Sequence, residues 1–421
     1  MKHIPTLLLA VVAAGSALGA DWMQFRGPGG LGSSNEKGLP VTWSSKENIV
    51  WRAEMPGPGT SCPIVVGKRV YITAYSGYGL VRGEGEMDKL MRHVLCIDRD
   101  KGTILWTKDF KPVLPESKYG PGGNESEHGY SSSTIASDGK SLFVFFGKSG
   151  VHCLDLDGKE LWNSSVGTGT DGWGSSNSPV LYKDLVIINA SIESRSLMAL
   201  NKNDGKEVWR TTTKLNSSWS TPVLVDAPNG TEVVASDNNN VLAFDPANGK
   251  ELWRVSGFNN YVCASVVANK DIVYVVRTGG KEGSALAIKS GGQGDVTDSH
   301  VIWRSPKSSL VPSPVYCEGR LYWPGGVAQC LDAATGKEVY AGRLTGGGTS
   351  FYASPLAADG KIYYVTRTAG AYVIAAGPEF KQLAYNKFDD DSNRSNASPI
   401  AHDGCILMRT DKYLYCIGTK R

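Results

Sequence analysis

The side chains able to hold a ligand are few, and their types limit the chemistry. Tyr130, Trp173, Trp219, Tyr261 and Tyr352 recur at one register, each a few residues ahead of a small residue or proline that opens a strand. Arg277, Arg367 and Arg409 fall near hairpins expected on the same side, together with Glu125, Glu127, His128 and Arg394. Aromatic faces stack on flat ligands and guanidinium groups fork onto anions, so this set predicts one ligand-binding face for a flat or anionic small molecule or a partner.

Catalytic motifs fail in context. Gly167 opens the letters GTGTDG, yet they lie between two strands with no helix to follow, which removes the dinucleotide reading. At Gly147 the letters GKS lack the earlier glycine of a phosphate loop, because Leu142 stands there. No C-x-x-C-H, H-E-x-x-H or G-x-S-x-G occurs, and six histidines leave little for metal ligation. Asp389, Asp390, Asp391, Ser392 and Asn393 begin like a calcium loop, but Arg394 occupies the position that needs glycine, so a solvated acidic loop is expected. No catalytic residue and no metal ligand is assigned.

The elements that position these groups follow from an internal repeat. CLDLDGKELW ends at Trp162, ALNKNDGKEVW at Trp209, AFDPANGKELW at Trp253 and CIDRDKGTILW at Trp106, with related copies closing at Trp303, Tyr340 and Tyr385. Trp51 holds the same closing position in NIVWRAEMP, which supplies only a fourth strand, while the copy from Ser398 stops after its third. From Trp51 to Tyr385 is 334 residues, about 48 per interval, the length of a four-stranded propeller blade. The pattern predicts an all-β, eight-bladed β-propeller of antiparallel blades over residues 20–421. The N-terminal strand 48–56 completes the last blade and closes the ring. Glycine takes the turn angle other residues resist, and the closing aromatics Trp51, Trp106, Trp162, Trp209, Trp253, Trp303, Tyr340 and Tyr385 are expected to dock between blades as structure.

Cysteines fit the same frame. Cys96, Cys153, Cys330 and Cys416 occupy a slot where sister repeats carry Ala199, Ala243 and Ala287, so each reads as a small core residue. Cys405 and Cys416 lie on consecutive strands about equally far from the hairpin at Thr410 and Asp411, a placement that allows a cross-strand disulfide.

The D-x-x-x-G-K-E-x-W repeat resembles that of the pyrroloquinoline-quinone (PQQ)-like propeller family, and the opening DWMQFRGP from Asp21 is similar to its exported bacterial members. That family includes quinoprotein alcohol and sugar dehydrogenases and a non-enzymatic outer-membrane-protein assembly propeller. The resemblance implies the fold and leaves activity open. PQQ with a calcium ion is the cofactor set under the dehydrogenase reading, in which arginines would meet the cofactor carboxylates and Glu125 or Glu127 the metal. The adjacent cysteine pair of many such alcohol dehydrogenases is missing, so a non-catalytic binding or scaffolding module is the expectation, with no cofactor assigned. An assembly factor is a second alternative, which the lack of a lipid-anchor cysteine disfavours.

Compartment and partners complete the reading. Lys2 and His3 precede an apolar run from Leu7 to Ala14, and Ala17, Leu18 and Gly19 supply small residues for cleavage, so residues 1–19 read as an export signal. A soluble periplasmic or extracellular monomer without a membrane span is expected. With 44 Lys and Arg against 41 Asp and Glu there is no basic field for nucleic acid, and selectivity must reside on one face.

Overall fold

Each of the repeats becomes one blade because its apolar, β-branched strands alternate with glycine turns that reverse the chain within a few residues. In the computed structural model, which describes residues 21–80, 85–118, 129–279, 283–368 and 370–419, eight antiparallel sheets form a ring. Blade 3 is typical, with strands Val180–Tyr182, Leu185–Ala190, Ser196–Asn201 and Glu207–Arg210 in spatial order. Blade 8 is shared between the chain ends. Its strands Ile400–His402, Cys405–Arg409 and Tyr413–Ile417 are completed by Ile49–Glu54, whose Trp51 faces Cys416.

The closing aromatics sit where neighbouring blades meet. The indole N–H of Trp51 donates to the Arg99 carbonyl of blade 1 at 2.7 Å, Trp162 to Lys202 at 3.0 Å, Trp209 to Pro246 at 3.1 Å and Trp303 to Ala333 at 2.9 Å. Each of these four rings lies against the turn glycine of the next blade, and Trp106 lies likewise against Gly158. At Gly249 a Cβ would come 2.5 Å from the Trp209 ring, and φ there is +73°, so glycine is required twice over. Trp253 departs from the pattern: it donates to Glu232 of its own blade at 2.8 Å, because Gly294–Asp295 of the next repeat adds a parallel strand beside Glu251–Val255. Tyr340 packs on Phe380, and Tyr385 packs on Tyr372 within its own blade, since the shared blade 8 has no turn to offer it.

The eight cysteines are all thiols. The cross-strand disulfide that the sequence allows between Cys405 and Cys416 is not formed: Cys416 pairs across the hairpin with Leu407 and Cys405 with His402 on the other side, so the two are two residues out of register. The Cys405 sulfur still lies close enough to push the Cys416 thiol well above its ordinary value.

Residues 21–34 carry no repeat and form a strap across the ring axis. Trp22 exchanges backbone hydrogen bonds with Val65 of blade 1, the Met23 carbonyl accepts from Ser137 of blade 2, and Ser33–Ser34 lies parallel on Leu356–Ala358 of blade 7. Between these anchors the turn Arg26–Gly32 folds on itself, with Gly27 at φ +69° pressed on the Trp22 ring.

Candidate functional site: an axial cavity

The residue two positions before each inner strand faces the ring axis. Seven of these eight positions are Ser or Thr and one is cysteine: Cys62, Thr134, Ser178, Thr221, Ser265, Ser313, Ser354 and Ser398. Their backbone N–H groups donate around the ring in one direction, Cys62 to the Thr134 hydroxyl at 2.9 Å, Thr134 to Ser178 at 3.0 Å, Ser178 to Thr221 at 3.0 Å and Thr221 to Ser265 at 2.9 Å. The series continues from Ser265 to Ser313 at 2.9 Å, Ser313 to Ser354 at 3.0 Å and Ser354 to Ser398 at 2.9 Å. Ser398 hydrogen-bonds the Cys62 thiol and closes the circle; burial pushes that thiol up. This collar ties every blade to the next at the axis. Because the Thr221, Ser265, Ser313 and Ser354 hydroxyls each accept a backbone proton and line the axial channel, their own protons are left to donate into it.

Above the collar lies a cavity of about 400 Å³. Trp173, Trp219, Tyr261 and Tyr352 form its aromatic wall, Thr221, Ser265, Ser313, Ser354 and Ser398 its hydroxyl floor, and Phe25 of the strap closes it below. Trp173 and Tyr261 are each 44% exposed, far more than the docking tryptophans. Among the described residues, the 18 that line the cavity include no Lys, Arg, His, Asp or Glu.

The arginines expected to bind ligand are not among the residues that line the cavity. Arg277 is 2% exposed, donates to Asn238 at 2.7 Å and to Asn260, next to Tyr261, at 3.0 Å, and stacks over Phe258; burial lowers it to about 10. Arg409 is fully buried and donates to the Thr73 carbonyl at 2.6 Å and the Ser61 hydroxyl at 3.1 Å, beside Cys62. Arg367 lies 3.9 Å over the Tyr352 ring and donates to Asn396, which lines the cavity. A hairpin position near the axis is covered by its neighbours, and a guanidinium there finds carbonyls before it finds solvent.

Tyr130 is also misplaced by the register argument. It is buried, and lines a separate charged cleft with Arg92, Glu116, Lys148, Asp171 and Ser175. Arg92 and Glu116 pair there at 2.6 Å, and Arg92 Nε donates to the Tyr130 carbonyl at 2.8 Å. Behind this cleft Glu193 is 4% exposed and accepts from the Ser175 hydroxyl, while its own carbonyl takes the Gly169 N–H at 2.9 Å. Burial raises its carboxyl to about 7, opposed by Ser175. Glu193 therefore supports the loop 167–176, which carries Trp173 and whose Gly174 carbonyl accepts from the Trp219 indole at 2.8 Å. Glu125, Glu127 and His128 lie outside the described residues. The acidic loop is only partly solvated, since Asp391 is buried and accepts from Thr410 and Tyr415.

Reading residues singly missed the collar and the strap. The signal for the collar was a hydroxyl residue before nearly every inner strand; the strap offered only Phe25 and a run of turn glycines.

Residues 90–225 and 193–294 match the family model described as outer membrane protein assembly factor BamB, built of PQQ-like repeats. The chain is an eight-bladed β-propeller whose residues 90–294 match the PQQ-like repeat family. Among solved PQQ-like structures, the quinohemoprotein alcohol dehydrogenase of Comamonas testosteroni superposes with a TM-score of 0.66 at 12% identity, covering 95% of this chain and 81% of that one. BamB of Moraxella catarrhalis superposes with a TM-score of 0.60 at 12% identity, covering 89% and 98%. No curated protein matches the sequence. At these identities the likeness shows the fold of a PQQ-like propeller and no activity.

PQQ is a tricarboxylate used with a divalent cation, so a PQQ-like propeller that holds it needs cationic and acidic side chains at the channel mouth. Among the described residues the axial lining has neither, and no group of three His, Cys, Asp or Glu side chains is placed to hold a metal ion. The described residues do not fit the cofactor.

Proposed function

We propose that this propeller is an exported, non-catalytic binding module that takes an uncharged ligand in the axial cavity. The observation that carries the reading is the lining: four aromatic residues above a floor of hydroxyl donors, with no charged side chain among the described lining residues to meet an ionic ligand or to move a proton. Aromatic faces supply apolar contact and the floor hydroxyls supply directed donors, which suits a ligand with flat apolar faces and polar edges. The leader-like residues 1–19 and the assembly-factor description of the matching family support placement outside the cytoplasm.

The test is a thermal-shift and fluorescence titration of the purified chain against neutral ring compounds, with PQQ plus Ca²⁺ as the competing arm. A shift with a neutral compound that Trp219→Ala abolishes is the expected result. Saturable PQQ binding with dye reduction by an alcohol or a sugar would overturn it in favour of an oxidoreductase.

A further inference from the structure

We propose that Ser76 of blade 1 is a nucleophilic modification site that takes an acyl group from a small carboxylic ester, with the His93 imidazole as its base and Asp109 holding that ring in place. Neither the axial cavity nor the charged cleft beside Tyr130 is lined by these three residues, so the site stands apart from the binding proposed above.

The register of blade 1 brings the three side chains together. Strands Arg69–Ser76, Met91–Asp98 and Ile104–Phe110 lie side by side, with Ala74 opposite His93 and His93 opposite Asp109. Ser76 stands two residues beyond Ala74, hence on the same face of the sheet. Its hydroxyl lies 2.8 Å from His93 Nε2, and His93 Nδ1 lies 2.7 Å from the Asp109 carboxylate. An ionised carboxylate only accepts, so Nδ1 carries the proton, and in the neutral ring Nε2 offers its lone pair to the serine, which donates to it. Nucleophile, base and orienting acid in this order are what make a serine hydroxyl reactive.

Two other contacts show each half of the set alone. His152 Nδ1 meets Glu160 at 2.8 Å, with no hydroxyl hydrogen-bonded to that ring among the described residues. Ser299 meets His300 Nδ1 at 2.9 Å, with no carboxylate on that ring among the described residues. In blade 1 the two halves join, and they join where solvent reaches. Ser76 is half-buried and the Asp109 side chain is 61% exposed, while His93 is buried between them. Gly77, next in the chain, is exposed at φ +82°, and a Cβ there would strike the Lys89 carbonyl, so the residue after the hydroxyl adds no side chain over it.

In the step, Ser76 gives its proton to His93 Nε2 as Oγ bonds the acyl carbon. The bond from that carbon to the ester oxygen then breaks, and the departing oxygen takes the proton from Nε2. The products are an acylserine on the chain and a free alcohol.

The probe is p-nitrophenyl acetate, incubated with the full chain and followed by peptide mapping of the acetyl group on each serine. Ser76 should acetylate about a hundredfold faster than the exposed Ser299, and His93→Gln should remove that advantage. Asp109→Asn should slow Ser76 about tenfold or more and Asp109→Glu should restore most of the rate, a rescue that bracing of the strands alone would not give. A Ser76 rate no higher than that of Ser299, or one that neither His93→Gln nor Asp109→Asn lowers, would overturn the proposal. If His93→Gln does not fold, the comparison of Ser76 with Ser299 on the unaltered chain and the Asp109→Asn variant decide.

Discussion

The tryptophans of this propeller do two different jobs at two radii. At the blade junctions Trp209 is 7% exposed, its N–H spent on the Pro246 carbonyl and its ring wedged on Gly249. At the axis Trp173 is 44% exposed, on a loop held by buried polar groups. One set welds neighbouring sheets together, and the other presents aromatic surface to a cavity. The difference lies in what stands opposite: a glycine turn of the next blade closes over the first, and the second borders the axial cavity.

That contrast predicts effects of very different size. Trp209→Ala should cost about 3–5 kcal/mol, the range for deleting a large buried aromatic, because it opens the apolar seam it shares with Val233, Leu242 and Phe244 of blade 4. Chemical denaturation measures it, and a loss below about 1 kcal/mol would place Trp209 with the cavity aromatics instead.

How far the sequence showed this depends on whether a feature repeats. The blades were legible because Trp51, Trp106, Trp162, Trp209 and Trp303 recur with their turns, and one repeat explains the others. The aromatic wall was legible for the same reason at four of five positions. Tyr130 failed because it packs against Tyr75 and Tyr78 of blade 1, a burial that a shared register does not reveal. Arg277 and Arg409 failed because polarity marks a side chain as able to meet a ligand and equally able to brace a loop; only packing decides, and packing is non-local. The strap is unique in the chain, so no second copy existed against which to read it.

A middle-sized effect probes the supports of the cavity wall. The folded Glu193 carboxyl titrates near 7, against an ordinary value of 4.5, through burial. Its neutral form is favoured in the fold, so the stability it contributes is complete below about pH 4.5 and is lost as pH rises through about 7. The difference corresponds to about 3 kcal/mol. Glu193→Gln should remove that dependence: the variant should gain on the parent chain by roughly this amount between pH 5 and 8 in parallel denaturation series. Parallel curves would mean that the carboxylate finds solvent. The same variant should keep Trp173 in place at high pH, read as ligand affinity that no longer declines with rising pH.

The smallest effect on stability falls on the cavity aromatics themselves. Tyr261 is 44% exposed, and the buried Arg277 grips the Asn260 carbonyl beside it without touching its ring. Tyr261→Ala should therefore cost less than about 1 kcal/mol in denaturation, while weakening by about tenfold any neutral compound that Trp219 also contacts. Arg277→Met should do the reverse, destabilising the loop by leaving the Asn238 and Asn260 carbonyls without their donor and affecting affinity only through Tyr261. If both variants lost stability equally, the axial aromatics would be structural like those at the rim, and the distinction between the two radii would collapse.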